Sequence, residues 1–83
     1  ANCDSYCTLL ATACPTEFDN EMGTAEKCME SCVDLPEAPA DSKYSVSNAE
    51  KSTGLHCRVL YSVRALLDKT ACASAIGGDQ CQP

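Results

Sequence analysis

The chain has 83 residues, of which eight are cysteines and only four are aromatic, with no tryptophan. A chain of this length has room for one small core, so we expect residues 1–83 to form a single cysteine-rich helical domain. The formal net charge of −6 argues against nucleic acid and against anionic membrane surfaces, because both require a basic patch on the protein. Nothing in the sequence resembles a signal peptide or a membrane span, so direct membrane insertion is not expected.

The cysteines are the most informative residues of this chain. An even number of cysteines in so short a chain indicates a disulfide framework made in an oxidising compartment. Since the chain opens with Ala1 rather than methionine, we expect a mature fragment from which a targeting segment has been removed. Both observations predict an extracellular protein, either secreted or displayed at the cell surface.

The first predicted helix covers residues 3–14. Its cysteines and apolar residues follow helical spacing and share one face. Asn2 is the expected N-cap, and Pro15 is expected to end the helix because the residue before a proline avoids the α region. Residues 15–23 are predicted to be a link.

The second predicted helix covers residues 24–33, with Thr24 as its cap. Residues 36–53 contain prolines, serines and other helix-breaking residues, which predicts a polar loop. Within that loop, the segment Ser47–Glu50 fits a capping box and allows one short helical turn.

The third predicted helix covers residues 54–69. An apolar stripe with a period of 3.6 residues predicts its buried face, and its other side is predicted to carry Arg58, Ala65 and Lys69. Residues 70–83, with Gly77 and Gly78, are predicted to form a closed Gly-rich loop. The predicted stripe consists of Val59, Leu60, Val63, Leu66 and Leu67.

Two Cys-x3-Cys steps suggest how the cysteines pair. Two helices that each carry such a step can face one another as an antiparallel hairpin, which predicts the pairs Cys3–Cys32 and Cys7–Cys28. The two cysteines that enclose the Gly-rich segment are natural partners, which predicts Cys72–Cys81. Cys14 and Cys57 then remain, and we expect them to join the end of the first helix to the start of the third.

The cysteine spacing also supports a resemblance. The relevant elements are Cys3-x3-Cys7-x6-Cys14, Cys28-x3-Cys32, Cys57-Arg58, and the pair Cys72 and Cys81 around a Gly-rich segment. This pattern resembles small secreted cysteine-rich domains of bacterial surface proteins and lipoproteins, with relatives in some algae and protists. The resemblance implies an extracellular location and carries no assigned activity. Such domains tend to have histidines at positions that here hold Tyr61, Ala71 and Ser74. The resemblance therefore implies no haem or zinc site in this chain.

His56 is the only histidine and the main candidate for acid–base or metal chemistry. We interpret it instead as a packed, hydrogen-bonded residue near the start of a helix, because no nucleophile or co-ligand accompanies it. Zinc binding by the cysteines would suit the Cys-x3-Cys steps, but the other four cysteines lie far apart in sequence. We therefore predict no catalytic, cofactor or metal site.

Three further groups of residues have both a functional and a structural interpretation. Acidic residues on one segment could bind a cation, but we expect them to be solvated: Glu17, Asp19 and Glu21. Arg58 and Arg64 are expected to pair with acids from the first two helices. Residues 9–13 and 71–76 would form apolar patches for a partner if exposed, but we expect them to pack internally.

Together these patterns predict an all-α fold, a small three-helix bundle held by four disulfides with a Gly-rich C-terminal loop. The leading functional hypothesis is a non-enzymatic extracellular structural or protein-interaction module, such as a subunit of an extracellular filament or cell-surface assembly. Its partner would be another copy or a cell-surface protein. The alternative is a secreted signalling ligand of the ciliate-pheromone type, because such pheromones are also small, acidic, disulfide-bonded helical bundles.

Overall fold

The computed structural model describes residues 2–38 and 43–82. These residues form helices and turns and contain no strand, which confirms the all-α prediction for them. The predicted count of three helices is wrong, since the described residues contain six α-helices and two short 3₁₀ turns. The α-helices are α1 (Cys3–Ala13), α2 (Pro15–Glu21), α3 (Ala25–Cys32), α4 (Val46–Lys51), α5 (Leu55–Ala65) and α6 (Cys72–Ala75), and the turns are Lys69–Ala71 and Asp79–Cys81.

Side-chain caps set the starts of α1 and α3. The Asn2 side chain accepts a hydrogen bond from the Ser5 amide at 2.8 Å, and the Thr24 hydroxyl accepts one from the Lys27 amide at 3.2 Å. Both caps agree with the sequence prediction. Asn and Thr are favoured at these positions because their side-chain oxygens accept from amides that the first helical turn leaves unpaired.

The segment predicted to be a link between the first two helices is itself helical. Pro15 ends α1 but is also the first residue of α2. Proline is well tolerated at that position, where its missing amide would have no helical partner and its fixed φ suits the helix. Gly23, with a φ of 83°, then turns the chain into α3.

Two further segments predicted to be loops also contain helices. Helix α4 lies within predicted loop 36–53, and its cap is Ser45, which accepts from the Asn48 amide at 3.1 Å, rather than Ser47. Residues 39–42 of that loop lie outside the described residues. The C-terminal segment contains α6 and both 3₁₀ turns, so within residues 70–82 it is not a simple Gly-rich loop.

Helix α5 ends at Ala65 rather than Lys69, and its buried face differs from the predicted stripe. Leu60 is buried as predicted, but Val63, Leu66 and Leu67 are exposed, while Ala65 is fully buried. The reason is that α5 packs against both α1 and α6, and small residues such as Ala65 allow that close approach. Hydrophobic periodicity alone could not identify these neighbours.

Four disulfides connect the helices. Cys3–Cys32 and Cys7–Cys28 join α1 to α3, as predicted. The predicted pairs Cys14–Cys57 and Cys72–Cys81 are wrong, because the structure contains Cys14–Cys72 and Cys57–Cys81. Helix α6 places Cys72 at the end of α1, whereas the following 3₁₀ turn carries Cys81 to the start of α5. The two cysteines therefore point to different helices.

The interior is built around α1. Tyr6 and Leu10 of α1 and Leu55 of α5 are fully buried among the cystines. The Tyr6 hydroxyl donates a hydrogen bond to the Ala75 carbonyl at 2.7 Å, which joins α1 to the end of α6. Burial raises the pKa of the Tyr6 phenol above its usual value of 10.0, and the nearby Arg58 guanidinium only partly opposes that effect.

This burial predicts a loss of stability at alkaline pH. The unfolded chain releases the Tyr6 proton near pH 10, as an exposed tyrosine does, whereas the folded protein retains it. The stabilisation is therefore complete below about pH 10 and is lost as the pH rises through the folded pKa. We expect Tyr6→Phe to cost about 1–2 kcal/mol at neutral pH, by removing the Ala75 hydrogen bond.

Urea unfolding curves at neutral pH and above pH 10 test this prediction. The Tyr6→Phe variant should lose less stability than the wild type between the two conditions, and Tyr61→Phe is the matched control. Equal alkaline losses in the wild type and in Tyr6→Phe would contradict the assignment.

Candidate functional site

A polar pocket of about 540 Å³ lies between the start of α5, helix α4 and the turn at residues 36–38. It contains His56, the main sequence candidate for chemistry, together with two lysines. Its lining residues are Glu37, Lys43, Asn48, Lys51, Ser52 and His56.

Glu37 caps helix α5 from outside that helix. Gly54, the residue before α5, has no side chain with which to cap it. The Glu37 carboxylate instead accepts hydrogen bonds from the His56 amide at 3.0 Å and from the Ser52 hydroxyl at 2.8 Å. A carboxylate at this position also complements the positive end of the helix dipole.

The backbone around this cap is tightly constrained. Glu37 has a φ of 77°, in the left-handed region that residues other than glycine rarely adopt. At Gly54 a Cβ atom would lie 2.7 Å from the Pro36 carbonyl oxygen, which accepts a hydrogen bond from the Leu55 amide at 3.0 Å. Glycine is therefore required where the two segments meet, and Glu37 is held in place.

His56 is packed, as predicted, with only 2% of its surface exposed. Its Nδ1 atom lies 3.7 Å from Glu37 Oε2, and its ring meets Tyr44 edge-on with centroids 5.6 Å apart. The ring was expected to be hydrogen-bonded, but neither ring nitrogen has a hydrogen-bond partner within the described parts of the chain. Its backbone amide, rather than its imidazole, makes the hydrogen bond to Glu37.

The geometry of this pocket favours a structural role. Ser52 is the only hydroxyl group among the lining residues of the described chain, and its Oγ donates to Glu37 and accepts from the Gly54 amide at 2.9 Å. A serine engaged in this way is not aligned with His56 as a nucleophile. Glu37 was not predicted from the sequence, which offered Thr53 as the cap of the third helix. That expectation is wrong, because the N-cap is Gly54 and the side chain that accepts from the His56 amide belongs to Glu37.

The acidic residues on α2 do not form a cation site within the described chain. Glu17 lies close to Cys14 and Cys72, whose sulfur atoms would complete a set of three potential metal ligands. Those two sulfurs are joined in one disulfide and cannot act as thiolates. Asp19 and Glu21 belong to no such cluster and are exposed to solvent, as expected.

The two arginines of α5 do not pair as predicted. Arg64 lies 3.7 Å from Glu50 of α4 and 5.0 Å from the centre of the Tyr61 ring, so its partner is not on the first two helices. The Arg58 guanidinium packs against Gly77, and no carboxylate of the described residues forms an ion pair with it.

One group of apolar side chains is conspicuous on the surface. Leu67 is 98% exposed, and Leu66 and Val63 are each 47% exposed, at and just beyond the C-terminal end of α5. We call these three residues the α5 ridge. By contrast, residues 9–13 and 71–76 mostly pack internally, as expected, with Leu10, Ala13 and Ala75 fully buried.

A second surface feature is an apolar depression of about 370 Å³ along the exposed face of α1. We call it the α1–α3 groove. The groove could not be predicted from the sequence, because Phe18 and Met29 are brought together only by the fold. The groove is lined by Asp4, Cys7, Thr8, Ala11, Thr12, Phe18, Ala25 and Met29.

No family model, curated protein or solved structure matches this chain. Among the described residues, no helix combines the length and the apolar character needed to cross a membrane.

The cap at α5 generates a testable prediction. We expect Glu37→Ala to destabilise the protein by about 1–2 kcal/mol, because it removes the acceptor for the His56 amide and the Ser52 hydroxyl. The matched control is Glu37→Gln, which keeps a side-chain oxygen at this position and should cost less. Urea unfolding measures the stability, and amide hydrogen exchange at His56 reports the cap itself. Unchanged exchange at His56 in Glu37→Ala would refute the capping role.

Proposed function

We propose that this chain is a non-enzymatic extracellular structural module that associates with other copies of itself, as a subunit of a filament or of a cell-surface assembly. The exposed α5 ridge is the observation that carries this proposal. Contiguous exposed leucine and valine side chains favour contact with another protein, since water is released when they are buried.

The energetics of the ridge support this function. Burying one exposed leucine side chain is worth about 1.5–3 kcal/mol. The ridge projects from a scaffold that four disulfides hold in one arrangement, so little conformational entropy is lost when a partner binds. A rigid apolar projection is well suited to a repeating contact.

The polar pocket favours a structural role over an enzymatic one. His56 is almost completely buried, and Glu37 and Ser52 are occupied with the cap of α5. General acid–base catalysis requires a group within hydrogen-bonding reach of a substrate. We therefore expect His56→Ala to affect stability and to have no effect on association.

The covalent framework supports the proposed location. Four disulfides are typical of extracellular proteins, because the cytosol keeps thiols reduced. The resemblance to small secreted cysteine-rich domains points to the same compartment. We therefore propose that the protein is secreted or displayed at the cell surface. We expect no nucleic-acid partner for a chain of net charge −6.

The mass of the oxidised protein in solution tests the proposal. We expect species well above the 8.8 kDa monomer to appear as the concentration rises from about 1 µM to about 1 mM, a range suited to weak interfaces. Light scattering coupled to size-exclusion chromatography measures the mass, and negative-stain electron microscopy detects fibres. A protein that stays monomeric over the whole range would overturn self-association and favour the diffusible signalling ligand.

A further inference from the structure

We propose that copies of this chain associate head to tail, with the α5 ridge of one copy seated in the α1–α3 groove of the next. The inference rests on the self-association proposed above and names the two surfaces that make it. Both surfaces are mainly apolar: the ridge is exposed at the end of α5, and the groove is a recess beside α1.

The groove has the size and character that the ridge requires. An apolar cavity of about 150 Å³ holds a benzene molecule. The groove, at about 370 Å³, therefore has enough volume for the side chains of Leu66 and Leu67 together. Phe18 and Met29 supply its apolar contacts, and the flexible Met29 side chain can adapt to what is inserted.

The groove lies on the face of α1 that is turned away from the core. Tyr6 and Leu10 occupy the buried face of α1, and Tyr6 hydrogen-bonds to the end of α6. Thr8, Ala11 and Thr12 lie on the opposite face and line the groove. Helix α1 thus separates the groove from the core. Since the ridge and the groove share no residue, one copy can offer one surface to each of two neighbours.

Contacts between two different surfaces have a structural consequence. When a projection on one copy fills a recess elsewhere on the next, the contact is heterologous and repeats along an open chain unless the rotation closes a ring. Insertion of the ridge of one copy into the groove of the next would therefore build the proposed filament. A symmetric ridge-to-ridge contact would end at a dimer and leave both grooves empty.

The distribution of charge favours the same pairing. Residues 1–35, which contain the whole groove, carry seven acidic residues and one lysine. Residues 36–83, which contain the ridge, carry five acidic and five basic residues, with Arg64 inside the ridge segment and Lys69 just beyond it. A groove-to-groove contact would bring two acidic regions together, whereas ridge in groove places an acidic region against a balanced one.

Two variants separate the two surfaces. Leu67→Ser removes the centre of the ridge and keeps the groove, and it should not disturb folding because Leu67 is solvent-exposed. Ala11→Arg fills the groove and keeps the ridge, and arginine is a good helix former. Thr8→Arg, at an exposed position of the same groove, replaces Ala11→Arg if that variant folds poorly.

Matched controls come from surface positions outside both features. Val46→Ser removes an exposed apolar side chain from α4, and Asn20→Arg adds the same charge as Ala11→Arg on α2. We expect both controls to associate like the wild type. We expect Leu67→Ser and Ala11→Arg each to weaken association by about tenfold or more.

Mixing the two variants is the decisive experiment. Leu67→Ser offers only a groove and Ala11→Arg only a ridge, so an equimolar mixture should form a capped pair of twice the 8.8 kDa monomer mass. A ridge-to-ridge contact predicts instead that Ala11→Arg still associates alone and that mixing adds nothing, which would overturn the inference.

The outcomes also separate this inference from the proposed function. Wild-type association that neither variant weakens would refute the ridge-in-groove contact and leave self-association intact. A wild-type protein that is monomeric at every concentration would refute both.

Discussion

Four disulfides are the constraint on which the rest of this structure depends. All eight cysteines are buried, and among residues 2–38 and 43–82 only three large side chains without sulfur are fully buried beside them: Tyr6, Leu10 and Leu55. Three of the disulfides start in or directly after α1, at Cys3, Cys7 and Cys14, and connect it to α3 and α6. The position of α1 is therefore fixed covalently along its whole length, and the other helices are placed around it. Cross-links take the role that a larger apolar core has in bigger domains.

This covalent framework links stability to the proposed function. A domain that depended on burial alone would need the apolar side chains at the end of α5 in its interior. Here Val63, Leu66 and Leu67 remain on the surface, and the recess lined by Phe18 and Met29 remains open. Both surfaces are held in fixed positions relative to each other, which is the property that a repeating contact between copies needs.

Several features that depend on local chemistry were predictable from the sequence, although the helix that begins at Pro15 and the Ser45 cap of α4 were not. The caps at Asn2 and Thr24 follow from side chains next to the helix they serve, and the two disulfides between α1 and α3 follow from matching Cys-x3-Cys steps. Features that depend on distant packing were not. The partners of Cys14 and Cys57 depend on the helical path of the C-terminal segment, and the buried face of α5 depends on α1 and α6 lying against it. In the polar pocket, the burial of His56 agrees with the sequence prediction. The role of Glu37 could not be predicted, because this residue lies 19 positions before His56 and reaches the His56 amide from an unusual backbone conformation.

The most direct test of this account is far-ultraviolet circular dichroism of the monomeric protein before and after thiol reduction, with the freed cysteines blocked by alkylation. We predict that the helical signal of the oxidised protein is largely lost once mass spectrometry shows eight alkylated cysteines, because the remaining core is too small to hold six helices together. A fully alkylated chain that kept its helical signal and unfolded cooperatively would contradict the account, since the apolar core alone would then suffice.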